Sequence, residues 1–542
     1  MNTFNPQLST LRDAFVGVAG QVAQSTPRDV HTTNGERLRA LANWDSSYPD
    51  EQTNYYEEFI HRHAPINIGW LKIPGSSYEG SGSSNEATGV GVFYNSTGDA
   101  EHVVAPLDDG SICLWDVRTR ETDDHGRRGR LLARSHTGSL FSDGKKDHEI
   151  AKIKAMMTET GAVESVSINS LHRRGYFAYN DVLTEVDLVT LQTISQERFP
   201  FPVTALSQAP QSSLVVGTNW TVHLHDPRNK SKSTVDPSLR CEVIGGPTAS
   251  HVTLSQPGPL SILDRTEDDS IWVAGRFTHL LNYDRRFFPR LRGTVHSGAR
   301  ISCIATLPHP YIPRTLDLLQ DPALSTNELY TAKSALGTTM LAAGEYKGKG
   351  SLELYNLSSN PSCLATHNYM NRQTASSTKL LSVSTHGCSI VFSDGDGNLK
   401  WVERDGSTPI RSHNINEVLD PPTFNQAQSA AQDPDIEHGD IVQKILPLHP
   451  SQGSSSTSKR SRADVNQSDL LLKTGDGRIG ILGFGDESLY AGEEIEVIVE
   501  SVETRARKDA EKQYQQTLRR ALQRQADEVR FVRGLGKVFN VP

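Results

Sequence analysis

Seven times along the chain an apolar run meets a tight Gly, Asn or Asp turn, and a second alternating run then tends to finish on an aromatic or His followed by an acidic or amide residue. In order these are VVAPLDDGSICLWDVR from Val103, YFAYNDVLTEVDLVT from Tyr176, LVVGTNWTVHLHDPR from Leu214, IWVAGRFTHLLNYDRR from Ile271, MLAAGEYKGKGSLELYNL from Met340, IVFSDGDGNLKWVERD from Ile390 and LLLKTGDGRIGILGFGD from Leu470. Each reads as a β-hairpin with two apolar faces, which a lone hairpin cannot bury. Seven copies that must stack on one another imply a closed ring, an all-β seven-bladed β-propeller.

A four-stranded blade needs a strand before its hairpin and another after it. Candidate first strands are GVGVFYNSTG, VESVSINSLH from Val163, VTALSQAP from Val203, the run Pro259 to Leu263, ISCIATLPHP from Ile301, LLSVSTHG from Leu380 and IVQKILPLHP from Ile441. Candidate outer strands are TLQTISQE from Thr190, RCEVIGG from Arg240, RLRGTVH from Arg290 and EIEVIVES from Glu494. Two segments compete for the outer place in the last blade: Glu494 to Glu500, and INIGWLKIP after Pro65. The hairpins align on Trp115, Val186, His225, Tyr283, Tyr355, Val402 and Leu482, at spacings of 71, 39, 58, 72, 47 and 80 residues. Most exceed the roughly 40–45 residues of a compact blade, so the surplus falls in polar insertions, of which SQGSSSTSKRSRADVNQS from Ser451 reads as disordered.

A 36% apolar content suits blades that carry such insertions. Five scattered cysteines without a CxxC pair point away from a disulfide framework and toward a reducing compartment, the cytoplasm or nucleus. No stretch reads as a signal peptide or membrane span. The net charge of −9 gives no global attraction to phosphate.

The dipeptide Trp115-Asp116 and the ring of equivalent positions resemble the WD40 family over roughly residues 86–500. In that family a loop His pairs with a strand Asp to lock each blade, and His296 with Gly298 and His438 with Gly439 resemble altered forms of that signal. Three strand ends place Arg two residues after Asp: Asp116 and Arg118, Asp226 and Arg228, Asp284 and Arg286. Such ends resemble those by which propeller receptors dock on the adaptor of a cullin-RING ubiquitin ligase, where the guanidinium fork suits carbonyls and carboxylates. The alternative is a salt link within the blade. The segment from Ile271 interleaves Arg276, Arg285, Arg286, Arg290, Arg292 and Arg300 with Phe277, Tyr283, Phe287 and Phe288. It looks like the WD-repeat region of fungal F-box proteins, although residues 1–50 show no F-box start.

Acidic turns at Asp109-Gly110, Asp394-Gly395-Asp396-Gly397 and Asp476-Gly477 offer clustered carboxylates. Their shared place in the repeats assigns them to turn chemistry instead. No GxSxG, HExxH, P-loop or strand-linked GxGxxG occurs, so no catalytic residue, cofactor or metal is assigned.

The chain therefore divides into a disordered tail (1–33), a helical linker (34–63), the propeller (64–501, with disorder near 451–468) and a long C-terminal helix (502–534). That helix carries nine Lys or Arg against five Asp or Glu between Glu503 and Arg533. The function expected is a non-enzymatic protein-interaction scaffold, in its concrete form a ligase substrate receptor binding an adaptor and a client. Its candidate contacts are Trp115, Asp116, Arg118, Asp226, Arg228, Arg276, Asp284, Arg286, Phe287 and Arg290. A nucleic-acid-associated scaffold is the alternative, drawn from the basic helix and the KRSR run at Lys459 to Arg462, and a propeller enzyme is a third.

Overall fold

The computed structural model describes residues 48, 51–52, 55–74, 85–95, 98–118, 129–141, 166–208, 214–225, 251–312, 326–357, 368–418, 440–448, 463–464 and 469–484. These form seven four-stranded antiparallel sheets. Blade 1 is β3 (Gly91–Tyr94), β4 (Ala100–Pro106), β5 (Ile112–Asp116) and β6 (Arg130–Arg134). Blade 2 is β7 (Val166–Asn169), β8 (Arg174–Tyr179), β9 (Val182–Asp187) and β10 (Gln192–Arg198). Blade 3 is β11 (Val203–Leu206), β12 (Leu214–Thr218), β13 (Thr221–His225) and β14 (His251–Thr253). Blade 4 is β15 (Pro259–Arg265), β16 (Ser270–Gly275), β17 (His279–Asp284) and β18 (Leu291–His296). Blade 5 is β19 (Arg300–Leu307), β20 (Thr338–Tyr346), β21 (Lys349–Leu357) and β22 (Asn368–Ser376). Blade 6 is β23 (Leu380–His386), β24 (Ser389–Asp394), β25 (Asn398–Glu403) and β26 (Pro409–Asn414).

Blade 7 is assembled from both ends of the ring. β27 (Val442–Pro447), β29 (Leu470–Thr474) and β30 (Ile479–Phe484) take β2 (Ile66–Trp70) as their outer strand, in the register Ile66 to Phe484 through Trp70 to Gly480. The INIGW segment thus takes the outer place, and Glu494 to Glu500 lie outside the described residues. The seam with blade 1 closes through Tyr94 Oη donating to the Pro447 carbonyl (2.8 Å) and the Ala100 and Ala87 amides donating to Leu448 and Gly477 (both 3.0 Å).

The seven aligned positions fall at one register place. Trp115 pairs with Val103, Val186 with Gly175, His225 with Leu214, Tyr283 with Ile271, Tyr355 with Met340, Val402 with Ile390 and Leu482 with Leu470. One expected outer strand is corrected. In blade 3 the fourth place belongs to β14, not to RCEVIGG from Arg240, which lies outside the described residues. β14 leads directly into the connection to blade 4, where the Leu254 and Gly258 amides bond the Trp220 and Asn219 carbonyls, so it is the segment that can reach both neighbours.

The core is made of interfaces between blades. Leu341, Leu352 and Leu354 of blade 5 pack on Leu380, Val383 and Phe392 of blade 6, all buried. Similar clusters join each consecutive pair of blades from the first to the seventh. Burying such a side chain contributes about 1.5–3 kcal/mol. Near the channel, small hydroxyls rivet the blades: Ser261 and Ser382 accept the Ile304 and Ile445 amides of the next blade (both 3.1 Å). First strands of blades 3 to 7 each carry a bulge at their start. Two bulges press so closely on the second strand that only glycine fits, since a Cβ on Gly275 or Gly344 would sit 2.1 Å from a carbonyl oxygen.

The acidic turns do the work of hairpin closure. Gly110, Gly397 and Gly477 hold φ of 74°, 80° and 80°, where an L side chain is strained. The Asp109 carboxylate accepts the Ser111 amide, and that of Asp394 accepts the Asp396 and Asn398 amides.

The His-Asp blade lock is absent at His296, whose Nδ1 meets His279 Nε2 at 3.2 Å. His438 and Gly439 lie outside the described residues. Carboxylate and cation pairs serve instead: Asp109 with Arg134, Glu185 with Arg174, Asp264 with Arg285, Glu353 with Arg372, Asp394 with Lys400, and Asp440 with Arg478. Glu353 is fully buried and also accepts the hydroxyls of Ser297, Ser351 and Tyr355. Blade 3 substitutes a neutral chain from Thr218 through Thr221 to His223, and burial with the adjacent His251 and His225 pushes the His223 imidazole down to about 3.

Two helices are described outside the blades. α1 (Tyr55–His63) comes from the DEQTNYYEEFIHRH segment; its Glu58 and Arg62 pair at i,i+4, and its basic last turn opposes the helix dipole. α2 (Thr326–Lys333) lies in the insertion between β19 and β20. The part of the expected helical linker (34–63) up to residue 47, the tail 1–33 and the C-terminal helix 502–534 lie outside the described residues. Within the Ser-rich insertion, Ala463–Asp464 (β28) pair in parallel with Glu51–Gln52 (β1), so that part of the expected disorder is ordered. Among the described residues no helix is long and apolar enough to cross a membrane.

Candidate interaction face

A propeller of this topology has two faces. One carries the turns between second and third strands and the connections from blade to blade. The other carries the ends of the third strands, the turns between first and second strands, and those between third and fourth. The second is the strand-end face.

The expected contact residues divide between them. Trp115 is fully buried, with its indole N–H on the Lys72 carbonyl (3.1 Å), and acts as blade core. Asp116 takes both Nε and Nη2 of Arg118 (3.0 and 2.8 Å), and Arg118 also reaches Glu101 at 3.5 Å. Here the strand end is closed by a link within its own blade. In blade 4 the pairing differs: Asp284 binds Arg292 Nε (3.1 Å) and accepts the Arg286 and Phe287 amides, while Arg286 reaches across to Asp269 (2.6 Å). Burial works to raise the Asp284 carboxyl, and these donors outweigh it and hold it below the usual carboxylate range. Asp226 and Arg228 lie outside the described residues. Arg286, Phe287 and Arg290 share the turn after β17 on the strand-end face, whereas Arg276 lies in the turn after β16, on the opposite face.

Phe287 stands out in that turn. Its side chain is 65% exposed, yet Asp284 holds the backbone beneath it and the Arg290 amide closes the turn on its carbonyl (2.8 Å). Arg265 extends this ground toward blade 5 by donating to Thr338 Oγ1 (3.1 Å), two residues from Leu336, which is 88% exposed.

Eleven large apolar side chains are exposed among the described residues. Trp70, Leu132, Ile194 and Leu291 are on outer strands; of the rest, Phe59, Leu171, Val189, Phe287, Tyr330 and Leu336 belong to the strand-end face, and Trp220 alone to the other. Sequence reading named only Phe287 of these as a contact residue, because an exposed Leu in a polar turn has no periodic signal.

The chain itself occupies part of this face. Glu51 lies between Arg404, which grips both its oxygens (2.7 and 2.8 Å), and His309 Nε2 (2.8 Å). Tyr48 stacks on the His309 ring at 4.0 Å and 7° and donates its hydroxyl to the Pro310 carbonyl (2.8 Å). Burial tends to raise the Glu51 carboxyl, but the Arg404 guanidinium and His309 hold it well below the usual carboxylate range. Farther along, Arg62 bridges Glu58 and Glu403, Arg411 donates to the His61 and Ala64 carbonyls, and His61 packs on His386 and Phe484. The segment from Tyr48 to His63 thus covers blades 5 to 7. The sequence marked this stretch as helical linker but not its place on the ring, since Glu51 and Arg404 are 353 residues apart.

The fold is that of a seven-bladed β-propeller, consistent with the WD40 type. A scan against protein-family models and a search of curated proteins found no match.

Proposed function

We propose that the chain is a non-enzymatic protein-interaction scaffold of the cytoplasm or nucleus, whose partner docks on the strand-end face where the N-terminal segment leaves it bare. The observation that carries this is the concentration of exposed apolar side chains there, with Phe287 and Leu336 at adjoining blades. A rigid turn that presents an aromatic side chain already has the entropy of ordering behind it, which is the property of an interface anchor. Arg286, 72% exposed at its side chain, adds a guanidinium beside that anchor.

The more specific form of the proposal is a substrate-receptor subunit of a cullin-RING ubiquitin ligase. Its support is that the strand ends Asp116 to Arg118 and Asp284 to Arg286 project onto this same face, with Arg118 and Arg286 both exposed. A phosphate-binding role draws less support from the Arg-rich segment, because Arg285, Arg286 and Arg292 are matched by Asp264, Asp269 and Asp284.

Affinity purification with mass spectrometry on the intact chain tests both levels. The expected result is a set of proteins lost with Phe287→Ala and Leu336→Asp and kept with Trp220→Ala. Ligase adaptors in the wild-type sample, lost on replacing Arg118, Arg228 and Arg286 with Ala, would support the specific form; their absence from the wild-type sample refutes it.

A further inference from the structure

The N-terminal segment meets the ring through a socket built from blades 5 and 6 and the insertion of blade 5. Its parts come from the insertion after β19 (His309 and the Pro310 carbonyl), from α2 (Lys333), from the turn after β23 (Gly387) and from the turn after β25 (Arg404). Each part addresses one feature of the docked residues. Arg404 offers two parallel N–H groups to a carboxylate and steadies itself with a third bond, from Nη2 to the Gly387 carbonyl (3.2 Å). The His309 ring is a platform for a phenol, and its own carbonyl is tied down by Thr339 Oγ1 (2.7 Å). Arg404 and Lys333 flank the phenol ring at 5.2 and 5.8 Å from its centre. The Pro310 carbonyl accepts the phenolic hydroxyl, which a Phe cannot supply.

What fills the socket is a motif closed on itself. The Tyr48 amide donates to Glu51 Oε2 (2.9 Å), and the Glu51 amide donates to the Tyr48 carbonyl (3.0 Å). A Tyr three residues before a Glu therefore brings phenol and carboxylate to one side of a single turn, the spacing the socket reads. Both residues are buried. Such a bidentate, aromatic-backed site is selective, since a chain lacking the carboxylate leaves Arg404 desolvated and uncompensated.

We propose that this socket between blades 5 and 6 is a receptor for a Tyr-x-x-Glu turn, filled in cis by Tyr48 and Glu51 and open in trans to the same motif on a partner protein. Tethering gives the internal copy an effective concentration on the order of millimolar. A partner segment therefore enters only when abundant, or when the internal copy is displaced. This socket is separate from the Phe287 ground and stands or falls independently of it.

The test uses the full chain with Tyr48→Ala and Glu51→Ala together, and a fluorescent peptide of residues 46–53. Saturable binding is expected, weakened by at least about tenfold in the wild-type chain, when the peptide glutamate is replaced by Gln, and when Arg404→Leu is added to the double variant. Should the double variant fail to fold, hydrogen exchange on the wild-type chain answers the question: excess peptide should raise exchange in residues 51–63, and the Gln peptide should not. Absence of binding to the folded double variant overturns the proposal, as does wild-type exchange indifferent to the peptide. Peptide binding that ignores both Arg404 and the glutamate overturns it too.

Discussion

The strand-end face is half covered and half bare, and the two halves are built on opposite principles. Over blades 5 to 7 the contact with the N-terminal segment is polar and desolvated: Glu51, Arg404, Arg62 and Glu403 are largely removed from water, each paired. On blades 2, 4 and the edge of 5 the face is apolar and wet at Leu171, Val189, Phe287 and Leu336. A buried ion pair adds little net stability but makes a wrong partner costly. An exposed apolar knob stabilises nothing until it is covered. The covered half therefore specifies its occupant, and the bare half awaits one.

The largest expected effect breaks the covered half alone. Glu51→Ala leaves the Arg404 guanidinium buried without a counter-charge, at a cost of about 3–5 kcal/mol, read as loss of exchange protection through residues 51–70. Replacing both Glu51 and Arg404 by Leu should recover most of that protection. If the single change leaves protection intact, the pair does not hold the segment.

Next comes the bare half. Phe287→Ala should leave the thermal midpoint unchanged and weaken partner capture by about 2–4 kcal/mol, the range of an interface anchor. A fall in stability with capture intact would mean that the side chain serves the blade and not a partner.

A third effect lies in blade 7, which contrasts with the paired charges of the covered half. The Lys473 amine is buried, has Gln443 Oε1 at 2.6 Å, and is pushed down to about 8 by burial and the neighbouring Lys444. Below that pH the folded and unfolded chains both hold the proton. Between about 8 and the ordinary lysine value near 10.4 only the unfolded chain keeps it, so stability rises with pH across that window, by on the order of 1–3 kcal/mol. Denaturant titrations from pH 7.5 to 10.5 should show the rise, and Lys473→Met should flatten it.

The smallest effect is at Arg118. Its fork with Asp116 is exposed, so Arg118→Ala should change stability by less than about 0.5 kcal/mol. A larger loss would show that the strand end is structural and would remove it from the contact surface.

The ring was legible because its signal is local and repeated. Hairpin alternation placed Trp115, Tyr283, Tyr355 and Leu482 at one register position without any long-range information. The closure was only half legible: INIGW alternates as a strand and was a candidate for the last blade, but nothing in its own residues set it above Glu494 to Glu500 for that place. In blade 3, RCEVIGG had the stronger strand pattern, whereas the place went to three residues positioned by the connection that follows them. The locks were hidden for a chemical reason. A His-Asp pair has a recognisable spacing, while Glu353 with Arg372 and Asp264 with Arg285 are ordinary charges until strand pairing brings them together. The N-terminal socket was beyond reach because Glu51 stands 258 residues from His309 and 353 from Arg404 along the chain.

Hydroxyl-radical footprinting of the intact chain bears most directly on the divided face, because it reads side-chain exposure residue by residue without a partner. Phe287, Leu336 and Tyr330 should be modified rapidly, while Tyr48, Trp401 and Phe392 stay protected. Modification of Tyr48 as fast as that of Phe287 would contradict the account, for the face would then be bare throughout and the socket empty.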